Sequence, residues 1–298
     1  MTKRILVIRL GALGDFVLSF GPFAAIRAMH QAATITLLTT APFAGLAAKS
    51  PWFDHIEIDT RPKLFDLRGQ ARLIRQLWNY DFVYDLQTSH RSTRYFWLAG
   101  APDWSGIAPF SSHPHKARNR TRLHTIERQR DQLRVAGITE FPKPDLDWLR
   151  ADTTKFDLPS RYALLIPGAA PHRPEKRWPA ENFGAVAAAL AEAGITPVVI
   201  GTGFEAEYAA AIRAVCPEAR DLCGRTSLEE VSSLAAAAAL AIGNDTGPSH
   251  LAAAMGTRCI VLFGAASNPA LTSPRGDVTV IQSEDLQRLP VGELLAVI

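Results

Sequence analysis

Three short segments carry the residue types from which a group-transfer site could be built. The first is Arg9-Leu10-Gly11-Ala12-Leu13-Gly14-Asp15. Gly11 and Gly14 let a ligand approach the backbone, and Asp15 stands at the mouth of a predicted helix. On its own residues Asp15 has two readings. It is an N-cap, favoured at the positive end of a helix, or a general base that activates a hydroxyl. The second segment is Pro167-Gly168-Ala169-Ala170-Pro171-His172-Arg173-Pro174-Glu175-Lys176-Arg177-Trp178-Pro179. It is long for a strand-to-helix connection, which marks functional loops. It sets His172, Arg173, Lys176 and Arg177 before a predicted helix start, where cations oppose the helix dipole. An anion held between them removes the conflict, and a solvated basic loop is the alternative. The third segment runs from Gly243 through Asn244-Asp245-Thr246-Gly247-Pro248-Ser249-His250 to Gly256. Proline at the first helical position follows a tight glycine turn, so bare N–H groups face the incoming ligand, most often a phosphate. A plain capped turn is the other reading.

The elements that must position these segments repeat. Apolar strands at Arg4–Arg9 and Tyr162–Ile166 each run into a glycine-bearing loop and then a helix, Phe16–Met29 and Ala180–Ala193 respectively. Each helix is followed by a further strand, Thr34–Thr39 and Thr196–Ile200. Short apolar strands alternating with helices read as parallel, doubly wound sheets. In the first half further strands are expected at His55–Ile58 and Phe82–Asp85, with helices at Leu67–Trp78, Arg91–Leu98 and Arg122–Ala136. Gly137 closes the last of these. The proline-bearing stretch Phe141–Ser160 is the expected linker. In the second half Ser227-Leu228-Glu229-Glu230 is a capping box. The apolar run Ala235–Ile242, narrowing to a strand at 240–243, leads into the third segment. Cys259–Phe263 is the next strand, and Leu286–Ile298 is expected as one last helix.

A chain of 298 residues, 47% hydrophobic, suits two α/β domains, set here at 1–155 and 156–298. A net charge of +3 is too small for a general nucleic-acid binder. The charge is uneven, however. Lys116, Arg118, Arg120, Arg122, Arg128, Arg130 and Arg134 face only Glu127 and Asp131 within their stretch. Such a patch suits an anionic substrate or an anionic lipid surface, or else is a solvated helix face. Cys216, Cys223 and Cys259 have no metal or disulfide spacing, which fits a reduced cytoplasm. No signal peptide or membrane-spanning run is read. Gly201-Thr202-Gly203-Phe204-Glu205-Ala206 with Asp221 loosely fits a dinucleotide fingerprint but comes second in its half rather than first. Asp145-Leu146-Asp147 mimics a metal motif but lies in the proline-rich stretch.

Taken in order and at this spacing, the three segments resemble glycosyltransferase family 9, the ADP-heptose:lipopolysaccharide heptosyltransferases. The resemblance rests on Arg9–Asp15, Lys176-Arg177-Trp178-Pro179 and Asp245-Thr246-Gly247-Pro248-Ser249-His250. It extends to Asp85-Leu86-Gln87 and Leu262-Phe263-Gly264, and runs over nearly the whole chain. It implies a GT-B fold, two Rossmann-like domains with parallel sheets facing across a cleft. The first would hold the acceptor and the second the nucleotide sugar. The family pattern makes Asp15 the catalytic base and Lys176 a contact to the donor phosphates. Gly168, Arg177, Glu205, Asp245, Thr246, Gly247, Ser249 and His250 fall on the donor side. Gly11, Gly14, Gln87, Arg118, Arg120 and Arg128 fall on the acceptor side. The implied reaction is an inverting, metal-independent transfer of heptose from ADP-heptose to Kdo or heptose in the lipopolysaccharide inner core. No cofactor is implied beyond ADP-heptose as co-substrate, and the enzyme would work in the cytoplasm, in peripheral contact with the inner membrane. An acidic residue after the strand ending at Ile200 should meet the ribose, Glu205 ahead of Glu207. The segment Gly264–Pro269 is less polar than the family's usual loop. Another nucleotide-sugar donor or acceptor, or a non-catalytic nucleotide-binding protein on this fold, are the alternatives.

Overall fold

The computed structural model describes residues 2–63, 65–170 and 172–298. Met1, Leu64 and Pro171, the last within the long basic loop, lie outside the described residues. The chain divides into two compact units, Met1–Trp148 and Leu149–Ile298, within the proline-rich stretch.

The first unit runs β1 (Arg4–Ile8), α1 (Leu13–Val17), α2 (Phe20–Met29), β2 (Thr34–Thr39), α3 (Ala41–Lys49), β3 (His55–Ile58), α4 (Leu67–Leu77), β4 (Phe82–Asp85), α5 (His90–Leu98), β5 (Asp103–Gly106), β6 (His113–Pro114) and α6 (Thr125–Val135). Its six parallel strands lie in the order β3-β2-β1-β4-β5-β6. Ile5, Leu6, Val7 and Ile8 of β1 are all fully buried, as the continuous apolar run of a central parallel strand requires. On one side Leu73 and Leu77 of α4 and Tyr95 and Phe96 of α5 pack with Leu6, Ile8 and Val83. Elsewhere in the unit an aromatic cluster forms from Phe16, Phe20, Phe23 and Trp52, and Trp148 closes it against Phe20 and Trp52.

The second unit runs β7 (Tyr162–Ile166), α7 (Ala180–Glu192), β8 (Thr196–Val199), α8 (Ala206–Val215), β9 (Arg220–Asp221), α9 (Leu228–Ala237), β10 (Leu240–Asn244), α10 (Gly247–Ala254), β11 (Cys259–Phe263), α11 (Pro269–Thr272), β12 (Val278–Gln282) and α12 (Val291–Leu295). Its strand order, β12-β11-β10-β7-β8-β9, repeats that of the first unit, and all pairs are parallel. In each sheet the first strand lies between the second and the fourth, so the order reverses beside it. The carboxyl ends of β1 and β4, and of β7 and β10, are therefore the topological switch points where such sheets bind ligands.

Several expected elements are corrected. The helix expected over Phe16–Met29 is two helices, because Pro22 has no N–H to give the Leu18 carbonyl and its ring crowds that oxygen, so the chain breaks at Leu18-Ser19. The helix expected from Arg122 starts at Thr125, with the His124 side chain accepting the Ile126 N–H. Ala235 is helical and the strand begins at Leu240. The tail is a short 3-10 turn at Leu286–Arg288 and then α12, separated by Pro290, which lacks the N–H a continuous helix needs. Among the described residues no helix is long and apolar enough to cross a membrane.

Candidate active site

In the first unit the β1 loop is held from below by Arg9. Its guanidinium is 3% exposed and donates to the carbonyls of Leu86 at 2.7 Å and Asp15 at 3.1 Å. The same nitrogen that reaches the Asp15 carbonyl also pairs with the Asp15 carboxylate at 3.1 Å, leaving that side chain 39% exposed. Asp15 is thus not the N-cap. Ala12 occupies that position without a side-chain hydrogen bond, and Asp15 lies in the first turn of α1. Gln87, at the end of β4, accepts the Leu10 N–H at 2.8 Å, so its side chain fixes the loop. Gly11 has φ +113, and a side chain there would run into the ring of Phe43. Gly14 lies in α1 one residue before Asp15, its carbonyl accepting the Leu18 N–H.

The basic stretch separates into two parts. Arg130 and Arg134 lie over the ring of Phe141, and Arg130 also reaches Glu127. Arg118 is exposed. Arg120 and Arg128 are half-buried, and Arg128 donates to the Thr125 hydroxyl. Burial lowers the Arg120 pKa and the neighbouring Arg128 lowers it further, while Arg9 feels Arg128 as a like charge and Asp15 as its main counter-charge. Arg120 Nε is buried without a partner. The nearby carboxylate is Asp85, fully buried at the end of β4. Burial pushes its pKa up to about 6, and N–H donors from Thr88 and Gln87 together with Arg9 pull it back only part of the way. Three guanidinium groups against the two carboxylates of Asp15 and Asp85 leave this end of the sheet with an excess of positive charge.

Two residues here gave no sequence signal. Arg61, at φ +51, donates to the Leu10 carbonyl at 3.1 Å, and the Thr40 hydroxyl donates to the same oxygen. Both lie on loops after other strands, so only the fold brings them to the β1 loop.

In the second unit the two loops at the switch point are tied together by Asn244. This residue is fully buried. Its Oδ1 accepts the Trp178 N–H at 3.1 Å and its Nδ2 donates to the Pro167 carbonyl at 2.7 Å. Trp178 is itself buried, with its indole N–H on the Leu289 carbonyl and its ring against Phe183. Gly243 is required for the approach, because a Cβ there would meet Ile166 Cβ at 2.5 Å. Sequence reading quoted Asn244 in the motif but missed its role, for which an asparagine at the end of a buried strand was the available cue.

Lys176 reaches from the β7 loop to Asp245 of the β10 loop at 2.7 Å. The anion that the sequence demands among these cations is, in this state, the protein's own carboxylate. Asp245 is 8% exposed, and burial alone would raise its pKa. Hydrogen bonds from His250, Lys176 and Ser267 outweigh that and hold it down to about 2. His250 lies 3.5 Å from the other carboxylate oxygen, and its Nδ1 is buried without a partner. Thr246 is the N-cap of α10 but makes no side-chain cap bond, and Gly247 and Pro248 follow. The Ser249 hydroxyl is turned inward onto the Asn244 carbonyl. Arg177 donates to the Ala169 carbonyl and lies over the ring of Tyr208, stiffening its own loop. Arg173 donates to the Ala266 carbonyl.

Glu205 is 8% exposed and sits between two glycines. A Cβ at Gly168 or Gly201 would meet its side chain at 2.8 or 2.7 Å. One oxygen accepts both the N–H and the hydroxyl of Thr202, the reverse arm of a capping box. This placement also argues against a dinucleotide pyrophosphate on the Gly201 loop, where the carboxylate already occupies the N–H and would repel phosphate. Glu207 is exposed and lines a separate groove with Arg177 and Tyr208. Asp145 accepts the Asp147 N–H in a local turn. Among the described residues no cluster of three or more histidine, cysteine or acidic side chains could hold a metal ion.

Residues 70–293 match the model of glycosyltransferase family 9 (heptosyltransferase), and the chain belongs to that family. It is 26% identical to lipopolysaccharide heptosyltransferase 2 of Escherichia coli K12 over 91% of this chain and 85% of that protein. It is 34% identical to lipooligosaccharide heptosyltransferase 2 of Haemophilus influenzae, in a match spanning 45% of this chain and 38% of that relative. Its fold is similar to that of the E. coli heptosyltransferase WaaC solved with ADP-2-deoxy-2-fluoro heptose, with a TM-score of 0.76, 21% identity and coverage of 99% and 98% of the two chains. The two doubly wound units are those of a GT-B glycosyltransferase.

Proposed function

We propose that this glycosyltransferase moves heptose from ADP-heptose to an anionic Kdo or heptose residue of the lipopolysaccharide inner core, with inversion. The observation that carries this reading is the division of charge between the two switch points. The first unit offers an exposed carboxylate on Asp15, steadied by buried Arg9, with Arg128 close enough to act on Arg9 and Arg120 beside Arg128. The second offers Lys176 and the uncapped start of α10. The names of the relatives supply the sugar and the acceptor class.

In this mechanism Asp15 takes the proton of the acceptor hydroxyl as its oxygen bonds to the anomeric carbon. The bond from that carbon to the phosphate oxygen breaks, and ADP leaves with the electron pair. A single displacement inverts the centre. The N–H groups at Thr246 and Gly247 cradle the pyrophosphate, and Lys176 exchanges Asp245 for a phosphate oxygen. Lys176 and the helix start supply the positive charge that a divalent cation supplies in other transferases, so turnover is expected to survive chelation. Glu205, Gly168 and Arg177 form the nucleoside side, and Ser249 and His250 hold the phosphate turn. Gly11, Gly14 and Gln87 shape the acceptor side, where Arg118, Arg120 and Arg128 meet the acceptor's negative groups. The work would be done at the cytoplasmic face of the inner membrane.

The test is ADP release from ADP-heptose with truncated core acceptors, run beside UDP- and GDP-sugars. Asp15→Ala is expected to keep its affinity for ADP-heptose and to lose about 1,000-fold in kcat. Release with no core acceptor, or release only from another nucleotide sugar, sinks the assignment. Unchanged turnover removes Asp15 from the mechanism.

A further inference from the structure

The outer faces of α4 and α5 combine exposed arginines with exposed large apolar side chains. The two helices hold five arginines, Arg68, Arg72, Arg75, Arg91 and Arg94, and no carboxylate. Among the described residues Arg68, Arg72, Arg75 and Arg94 form no ion pair. They are interleaved with exposed apolar side chains. Leu67 is 79% exposed, Trp78 56% and Trp97 55%, and Phe65, just ahead of α4, is 95% exposed.

The spacing sorts these groups. Leu73 and Leu77 point into the core. Leu67, Ala71 and Ile74 fall at i, i+4 and i+7, and Trp78, one residue past the helix, continues the line. Arg68, Arg72 and Arg75 form the neighbouring stripe at i, i+4 and i+7. The helix therefore has three strips: one buried, one apolar and exposed, one basic and exposed. Trp78 lies against Gly100 at the end of α5, where a Cβ would come within 3.3 Å of its ring, so the apolar strip runs on toward Trp97. A water-facing helix has no use for an apolar strip of this length. A protein partner can cover tryptophan and arginine as well, but the acceptor proposed above is anchored in lipid, which favours a bilayer here. A bilayer asks for both at once: arginines reach phosphate headgroups while tryptophan and leucine enter the boundary beneath them.

The geometry points to this α4–α5 face as the surface by which the enzyme docks, lying flat, on a bilayer of anionic phospholipid. The inference deepens the proposed function, because it rests on the acceptor being anchored in lipid. The docking face also begins near the acceptor loop. Gln70 of α4 donates to the carbonyls of Pro62 and Lys63, and Arg61, just before them, donates to Leu10. A lipid-anchored saccharide rising beside the start of α4 would therefore meet the Asp15 loop first.

The test uses the full-length protein and sedimentation with vesicles of phosphatidylethanolamine and phosphatidylglycerol, against vesicles of phosphatidylcholine alone. Wild type is expected to pellet with the anionic vesicles and to be released by salt. Arg68→Glu, Arg72→Glu and Arg75→Glu together are expected to weaken that partitioning on the order of 100-fold. Leu67→Ser with Trp78→Ser is expected to weaken it at every salt concentration. Both variants should keep wild-type turnover on a water-soluble truncated acceptor and lose it on acceptor embedded in vesicles, and far-UV circular dichroism checks that they fold. Equal partitioning of variants and wild type overturns the proposal. So does binding that requires lipopolysaccharide in the vesicle, which would make the face an acceptor site, or a change of oligomeric state in the variants, which would make it a contact between copies. Vesicle binding without any heptosyl transfer would instead remove the proposed function and leave the surface standing.

Discussion

Asp245 and Asp85 are both buried carboxylates at strand ends, yet their surroundings drive them in opposite directions. Asp245 is held down to about 2, so between that value and the ordinary carboxylate range the folded state binds fewer protons than the unfolded chain. Its contribution is complete above about pH 4 and fades as pH falls toward 2, a loss on the order of 2 kcal/mol. Lys176→Met should take away part of it, and urea melts from pH 2 to 7 should show a shallower acid limb for that variant. Asp85 is pushed up to about 6, so the folded state binds more protons than the unfolded chain between about pH 4 and 6. Stability should fall as pH rises through that window by on the order of 3 kcal/mol, and then level off. Asp85→Asn should flatten the fall, and the same urea series reads it. A variant that keeps the wild-type slope would show that another group is responsible. The sequence made Asp15 legible as either cap or base. What it could not show is Arg9, whose side chain turns back under the loop to pair with a residue six positions on.

At the scale of elements, the loops at the second switch point stand on one asparagine. Asn244→Ala would leave the Trp178 N–H and the Pro167 carbonyl buried without partners, at about 2–4 kcal/mol. Calorimetry should show the lower Tm, and ADP affinity should fall with it, because the Lys176 loop loses its tie to the α10 turn. A melting point within a degree of wild type would show that the loops hold without it. The bounds of β2, β3, β4, β7 and β11 were legible to the residue from short apolar or β-branched runs, whereas β12, Val-Thr-Val-Ile-Gln, was not read although it is of the same kind. β5 and the two-residue β6 and β9 were not, because Asp-Trp-Ser-Gly and a pair of residues carry no period. The split between α1 and α2 escaped for a different reason. Phe16 to Met29 keeps apolar helical spacing, and the cue that was passed over is Pro22, which cannot bond back to Leu18. Glu205 was favoured over Glu207 on position alone, and what distinguishes them physically is the pair of glycines that lets only Glu205 lie buried.

At the scale of the whole molecule, two units with the same strand order each carry their own core. A ligand confined to the second should stabilise that unit first. ADP-heptose at 100 times its dissociation constant is expected to add about 2.7 kcal/mol to the opening of residues 149–298 and little to residues 2–148. Hydrogen exchange with and without the nucleotide sugar resolves the two, and equal protection of both units would place donor contacts in the first as well. The two-domain organisation was legible because the strand-loop-helix opening occurs twice. The boundary was less so, since the proline-rich stretch has no periodicity from which to choose a residue. Trp148 marks it physically, as the last side chain packed into the first unit.

That tryptophan has a consequence during synthesis. Its ring joins Phe20 and Trp52, residues made far earlier, so the aromatic cluster is completed only by the final residue of its unit. While the ribosome is still short of that codon, Phe20 and Trp52 wait with one side uncovered. Once Trp148 leaves the exit tunnel, the nascent chain can close its first half before most of the second has been translated.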